Sequence, residues 1–181
     1  MGCIQQAKPG LCKPALISLC LFCLVSSAAG QDRTMMKNAF FAEYNLEGPV
    51  YSINYERIFL QSRSLNIDFR VGFSIMNNKI AFPVGLGIFT GHSNHHAEFS
   101  FTATPLVEHK TVVYGNGSDN DKFIYLFPAA GYRYQRPSGG IFLKAMASPA
   151  IILDPAEGDF WNMDPKVKFS FSLGAGWSFG R

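Results

Sequence analysis

Four histidines are the residues with the most evident chemistry in this chain: His92, His95 and His96 lie within five positions, and His109 follows further on. Imidazoles at short spacing suit a metal centre, provided that their ring nitrogens converge on one point. His95 and His96 are neighbours, however, and on an extended strand neighbours face opposite ways. No cysteine or nearby carboxylate pair completes a shell. The cluster therefore reads as a polar turn, and no metal-binding, catalytic or cofactor-binding residue is assigned. Two further groups, Asp119, Asn120, Asp121 and Asp154, Glu157, Asp159, Asp164, could hold Ca²⁺ or cations that bridge lipopolysaccharide. They lack EF-hand spacing and read as solvated loop acids.

The other charges stand singly among apolar residues, and the elements that carry them are strands. From Val167 to Arg181 the alternation is strict: Val167, Phe169, Phe171, Leu173, Ala175, Trp177 and Phe179 are apolar, and polar or tiny residues separate them. Ten such residues, tilted, span roughly 25 Å, the height of the apolar band of a transmembrane barrel. Upstream, the same periodicity predicts strands at Met36 to Tyr44, Val50 to Leu60, Ser64 to Met76, Lys79 to Thr90, His95 to Val107, Lys122 to Gln135 and Gly140 to Leu153. Pro83 cannot donate to a ladder and predicts a bulge within the fourth strand. The facing of Lys122 to Gln135 stays open, because Phe123, Tyr125 and Phe127 compete with Ile124, Leu126, Tyr132 and Tyr134. Glu108 to Asp121 and Asp154 to Pro165 read as long loops, and Phe160-Trp161 in the second as a cap on the fold or a partner contact.

Met1 to Gly30 reads as a secretory signal peptide: Lys8 and Lys13, an apolar core from Pro14 to Val25, then Ser26 to Gly30, all small. All four cysteines lie inside it, so the domain expected at 31–181 has no thiols. Its removal lowers the net charge from +3 to about +1, which gives no electrostatic footprint for nucleic acid. The remainder contains no apolar run of eighteen residues, yet 48% of the chain is hydrophobic and only 16% charged. Export, apolarity and the lack of a spanning helix point to an all-β, eight-stranded antiparallel up-and-down transmembrane barrel, because only helices and closed barrels satisfy every backbone group in lipid.

The polar face distinguishes this from a secreted or periplasmic lipocalin-like binding barrel. It is Ser, Gly, Asn and Thr with isolated Glu56, Asp68, Arg70, Glu98, Lys144 and Lys168, as the crowded lumen of an eight-stranded barrel requires. These six are the expected lumen polar network, three acids against three bases. With both ends in the periplasm, the short turns at Gln61 to Arg63, Gly91 to Asn94 and Arg136 to Gly139 fall inside, and the two long loops outside. Tyr132, Tyr134, Trp177 and Phe179 then form a girdle at the inner boundary.

The stretch Ser172-Leu173-Gly174-Ala175-Gly176-Trp177-Ser178-Phe179 resembles the β-signal of outer-membrane proteins, polar-x-Gly-x-x-aromatic-x-aromatic, with Gly180-Arg181 after the last aromatic, where the usual pattern stops. The resemblance implies that Ser172, Gly174, Trp177 and Phe179 are read by the barrel assembly machinery. Val50 to Arg57 (VYSINYER), His95-His96-Ala97-Glu98 and Gly131 to Gln135 (GYRYQ) followed by Gly139-Gly140 are similar to the small outer-membrane β-barrel proteins of Bacteroidota, from about Asn38 onward. That resemblance implies an outer-membrane location, contact with outer-membrane lipid, and a structural, adhesive or unassigned role without an open pore. His92-Ser93-Asn94 also resembles the His-x-Ser-Asn pattern of lipid A deacylases with one residue missing, so an outer-membrane lipid-modifying enzyme is the remaining alternative.

Overall fold

The computed structural model describes residues 35–111, 118–153 and 165–180. The expected signal peptide, Phe160-Trp161 and the acids Asp154, Glu157, Asp159 and Asp164 lie outside them. The strands are β1 (Asn38–Asn45), β2 (Tyr51–Gln61), β3 (Leu65–Met76), β4 (Lys79–Ala81), β5 (Val84–Thr90), β6 (His95–Thr111), β7 (Ser118–Gln135), β8 (Gly140–Leu153) and β9 (Lys166–Phe179). All pairings are antiparallel; β3 and β6 each pair with both β4 and β5, the other strands pair with their sequence neighbours, and β1 also pairs with β9 from Asn38↔Phe179 to Asn45↔Ser172, which closes the barrel.

Nine segments make eight crossings, because β4 and β5 are one strand interrupted at Phe82 and Pro83. The expected bulge is absent there. Ser74↔Ala81 and Val71↔Val84 belong to one register against β3, and Gly72 N donates to Pro83 O at 2.7 Å between them. Pro83 lacks its own N–H, yet its carbonyl and the Phe82 N–H keep the ladder aligned on both sides. The register shift lies instead in β2, between Ile58 and Leu60.

The β6–β7 ladder continues through His109↔Asn120 to Thr111↔Ser118, so most of the expected loop from Glu108 to Asp121 is hairpin. At the turn between β3 and β4, Asn78 takes φ 59°, a left-handed conformation that asparagine tolerates. Between β7 and β8, Gly139 and Gly140 take φ 82° and 107°, which side chains with a Cβ rarely adopt.

Alternation sends one parity of each strand inward and the other outward. Ser52, Asn54 and Glu56 of β2 are buried, for example, while Tyr51, Ile53 and Phe59 are exposed. For β7 the facing is now defined: Ala129, Arg133 and Gln135 are buried, and Tyr132 faces out. We call the end holding Asn38 and Phe179 the near end. At the near mouth Met35, Ile58 and Phe89 pack together, and the backbone of Met35 and Met36 is held by Gln61 Nε2 at 3.0 Å and Gln135 Nε2 at 2.9 Å. At the far mouth, Pro49 is buried beside Phe127 and lines, with it, the upper cavity.

Candidate functional site

The strands bring charged residues together inside the near half of the lumen. Lys144 of β8 reaches Glu56 of β2 at 2.7 Å and Glu98 of β6 at 2.5 Å. Arg133 of β7 reaches Asp68 at 2.7 Å, Glu56 at 3.0 Å and Glu98 at 3.5 Å, and its Nε and Nη2 donate to Gln135 Oε1 at 2.9 and 2.6 Å. Its guanidinium sits between two rings, 4.1 Å from the centroid of Phe89 and 4.8 Å from that of Phe142. Space for this comes from residues without side chains: a Cβ on Gly87 would stand 2.5 Å from Asp68 Oδ1. Burial leaves each of these charges dependent on its partners, because a lone ion in such surroundings is costly.

One layer further along, Arg70 pairs with Glu43 and donates to Asn54 Oδ1 from Nε at 3.0 Å and from Nη2 at 2.9 Å. Ser172 Oγ donates to Glu43 Oε1 at 3.0 Å. Above this pair the lumen is lined by hydroxyls, Ser100, Thr102, Thr104, Ser148 and Ser170, around a cavity of ≈ 30 Å³. That volume holds one or two waters and no organic ligand.

Five of the six network residues expected from the sequence, Glu56, Asp68, Arg70, Glu98 and Lys144, are buried in the lumen. Lys168 is not with them. It shares their inward parity but sits at the far end of β9, 55% exposed, with Glu47 at 3.3 Å. The parity of a side chain says nothing about its height along the strand. Two members escaped the sequence reading, Glu43 and Arg133, so the buried set among the described residues is four acids and three bases rather than three of each. Arg133 carried a usable signal, since Tyr132-Arg133-Tyr134-Gln135 alternates cleanly once the aromatics nearer the far mouth are set aside. Tyr125 and Phe127, which obscured it, stack on each other at 6.0 Å near that mouth.

The histidines separate as their positions required. His96 is buried, with Thr90 O beside Nδ1 and Gln135 O 3.2 Å from Nε2, while His95 is exposed beside Tyr132. His92 Nδ1 donates to Arg63 O at 3.2 Å and Ser93 Oγ donates to His95 O at 2.6 Å, so among the described residues each faces a backbone carbonyl. His109 lies at the opposite end of the barrel, and Asp121 stands in the far hairpin. Of the four residues that the resemblance implies as an assembly signal, Ser172 and Gly174 face the lumen, and Trp177 and Phe179 stand exposed on the outer wall.

The N-terminal β-barrel domain of Pseudomonas aeruginosa OprF is similar in structure, with a TM-score of 0.50 and 11% sequence identity over 80% of this chain and 98% of that one. The fold is an eight-stranded antiparallel β-barrel. No protein-family model and no curated protein matches the chain. The OprF likeness extends to the barrel as a whole.

Proposed function

We propose that the protein is a small outer-membrane barrel of structural or adhesive role, of the Bacteroidota type, oriented with its near end in the periplasm and its lumen closed to ions. The observation that carries this reading is its inverted polarity. Phe169, Val167 and Leu86 are 70%, 65% and 58% exposed on a wall whose interior holds Arg133 and Glu56 at 1%. In water that wall would leave a far larger apolar surface than soluble monomers tolerate. In hydrocarbon it is solvated, and pairing of β1 with β9 joins the two ends of the sheet.

The near-end connections, 62–64, 91–94 and 136–139, are short, and the segment from 154 to 165 at the far end is the longest, the asymmetry expected of a barrel whose far end faces outward. Export through the signal peptide 1–30 and assembly through Ser172, Gly174, Trp177 and Phe179 complete the reading. A lipocalin-like binder would need an interior cavity of roughly 300 Å³ or more, against ≈ 30 Å³ here. An enzyme acting on lipid A would need its His and Ser at the far end, and His92 and Ser93 sit in a near-end turn.

Membrane fractionation with heat-modifiable gel mobility tests the location: the expected outcome is an outer-membrane, heat-modifiable band, and a species soluble without detergent would overturn the reading. In a planar bilayer the protein should show no steady conductance.

A further inference from the structure

The two rims of the barrel differ in charge. At the far end Lys79, Lys122, Lys166 and Lys168 are mixed with Glu47, Glu108 and Asp121, and two pairs form, Lys79–Glu108 at 3.0 Å and Lys168–Glu47 at 3.3 Å. At the near end the outer wall and turns carry Lys37, Arg57, Arg63 and Arg136, and among the described residues no Asp or Glu shares that rim. The carboxylates of that half, Glu56, Asp68 and Glu98, are all turned into the lumen and engaged there. None of the four near-end bases makes an ion pair among the described residues.

One of these bases is held in a built setting. Arg136 Nε donates to the Tyr134 hydroxyl at 2.7 Å, and its guanidinium lies 5.9 Å from the Tyr134 ring centroid. Tyr134 meets the His95 ring at 5.4 Å, and His95 Nδ1 lies 2.5 Å from the Tyr132 hydroxyl. Tyr134 holds Arg136 by its Nε edge; the residue is exposed and its two terminal amino groups make no hydrogen bond among the described residues, a fork whose geometry matches two phosphate oxygens. Arg57 is on the apolar wall itself, level with Asn38, so its charge must reach outward along the wall to find a polar partner.

We propose that the near rim is a binding site for anionic phospholipid headgroups of the inner leaflet, with Arg136 as the principal phosphate ligand and Arg57, Arg63 and Lys37 completing a cationic collar. The site rests on the orientation given above, and it assigns a ligand to a surface that the structural role does not use. Phosphate at this height would complete the hydrogen bonding of Arg136 and supply the counter-charge that the rim lacks.

The full chain, refolded in detergent, is mixed with phosphatidylglycerol, with phosphatidylcholine or with lipid A, and retained lipid is read by native mass spectrometry. Heat-modifiable mobility is recorded for every variant. The wild type should retain phosphatidylglycerol over phosphatidylcholine, and each neutralised base, Arg136→Gln, Arg57→Gln or Arg63→Gln, should weaken that preference by about fivefold. Arg136→Lys should fall between wild type and Arg136→Gln, and Lys168→Gln at the far rim should leave the preference intact. Arg63 stands in an exposed turn, so its variant keeps the test decisive if the wall variants do not fold. Equal retention of the two lipids, an unchanged preference in folded rim variants, or stronger retention of lipid A would overturn the proposal. A wild type that never shows heat-modifiable mobility would instead overturn the membrane reading on which it rests.

Discussion

Arg133 Nη1 donates to Asp68 Oδ2 at 2.7 Å across the lumen, joining β7 to β3, between which β6 and the β4–β5 crossing intervene in the wall. The same guanidinium touches Glu56 and Glu98, so a single side chain serves three carboxylates. Arg133→Gln leaves Glu56 and Glu98 with Lys144 alone and Asp68 without an ion pair, and should lower unfolding stability by about 3–5 kcal/mol. Urea unfolding of the refolded barrel in vesicles, followed by tryptophan fluorescence, measures this.

Asp68→Asn should behave differently. The buried set has one more acid than base, and Asp68 Oδ1 has no hydrogen-bond partner among the described residues. The amide oxygen can still accept from Arg133, and one uncompensated charge disappears, so the cost should stay below about 1 kcal/mol. The same urea titration tests it, and a loss as large as that of Arg133→Gln would contradict the account.

Pro128 and Pro149 stand opposite each other in the β7–β8 register, where neither can donate to the ladder. Ser148 Oγ lies 2.9 Å from both Pro128 O and Pro149 O and supplies a donor at this seam. Ser148→Ala should therefore cost about 1–2 kcal/mol, with Ser148→Thr restoring most of it. Hydrogen exchange of the flanking β7 and β8 amides should accelerate in the alanine variant and stay unchanged elsewhere.

Phe179 pairs with Asn38 at the near boundary, where a charge on the lipid face costs only about 0–1 kcal/mol. If it also serves as an assembly signal, Phe179→Asp should reduce outer-membrane levels several-fold while the purified, refolded variant stays nearly as stable as wild type. Immunoblotting of outer-membrane fractions beside in vitro unfolding separates the two effects, and normal levels in cells would count against the signal.

Strand number and the facing of every strand but Lys122 to Gln135 were legible because period-two alternation is a local property, and Leu65 to Ile75 or Val167 to Phe179 display it without help from the rest of the chain. The lumen network was less so. Parity identified Glu56, Asp68, Arg70, Glu98 and Lys144 as inward, but height along a tilted strand depends on the register with neighbours, which is why Lys168 was grouped with residues far below it. Arg133 was hidden by Tyr125 and Phe127, aromatics that face inward at a mouth, where a barrel accepts larger side chains than at its waist. Pro83 misled in the opposite sense, because a missing donor interrupts a strand without displacing its register when the neighbouring carbonyl remains in line.

The two halves of the lumen give the barrel an uneven stiffness. In the near half, Lys144 and Arg133 act as spokes between opposite walls, and flattening the cross-section there must pull charged partners apart. In the far half the walls are separated by hydroxyls, by Pro49, Phe127 and Met146, and by a cavity of ≈ 30 Å³, so the same squeeze pulls no cross-lumen ion pair apart among the described residues. In a bilayer, lateral pressure would thus be borne by a charged hub at one end, while the other end holds its outline by packing alone.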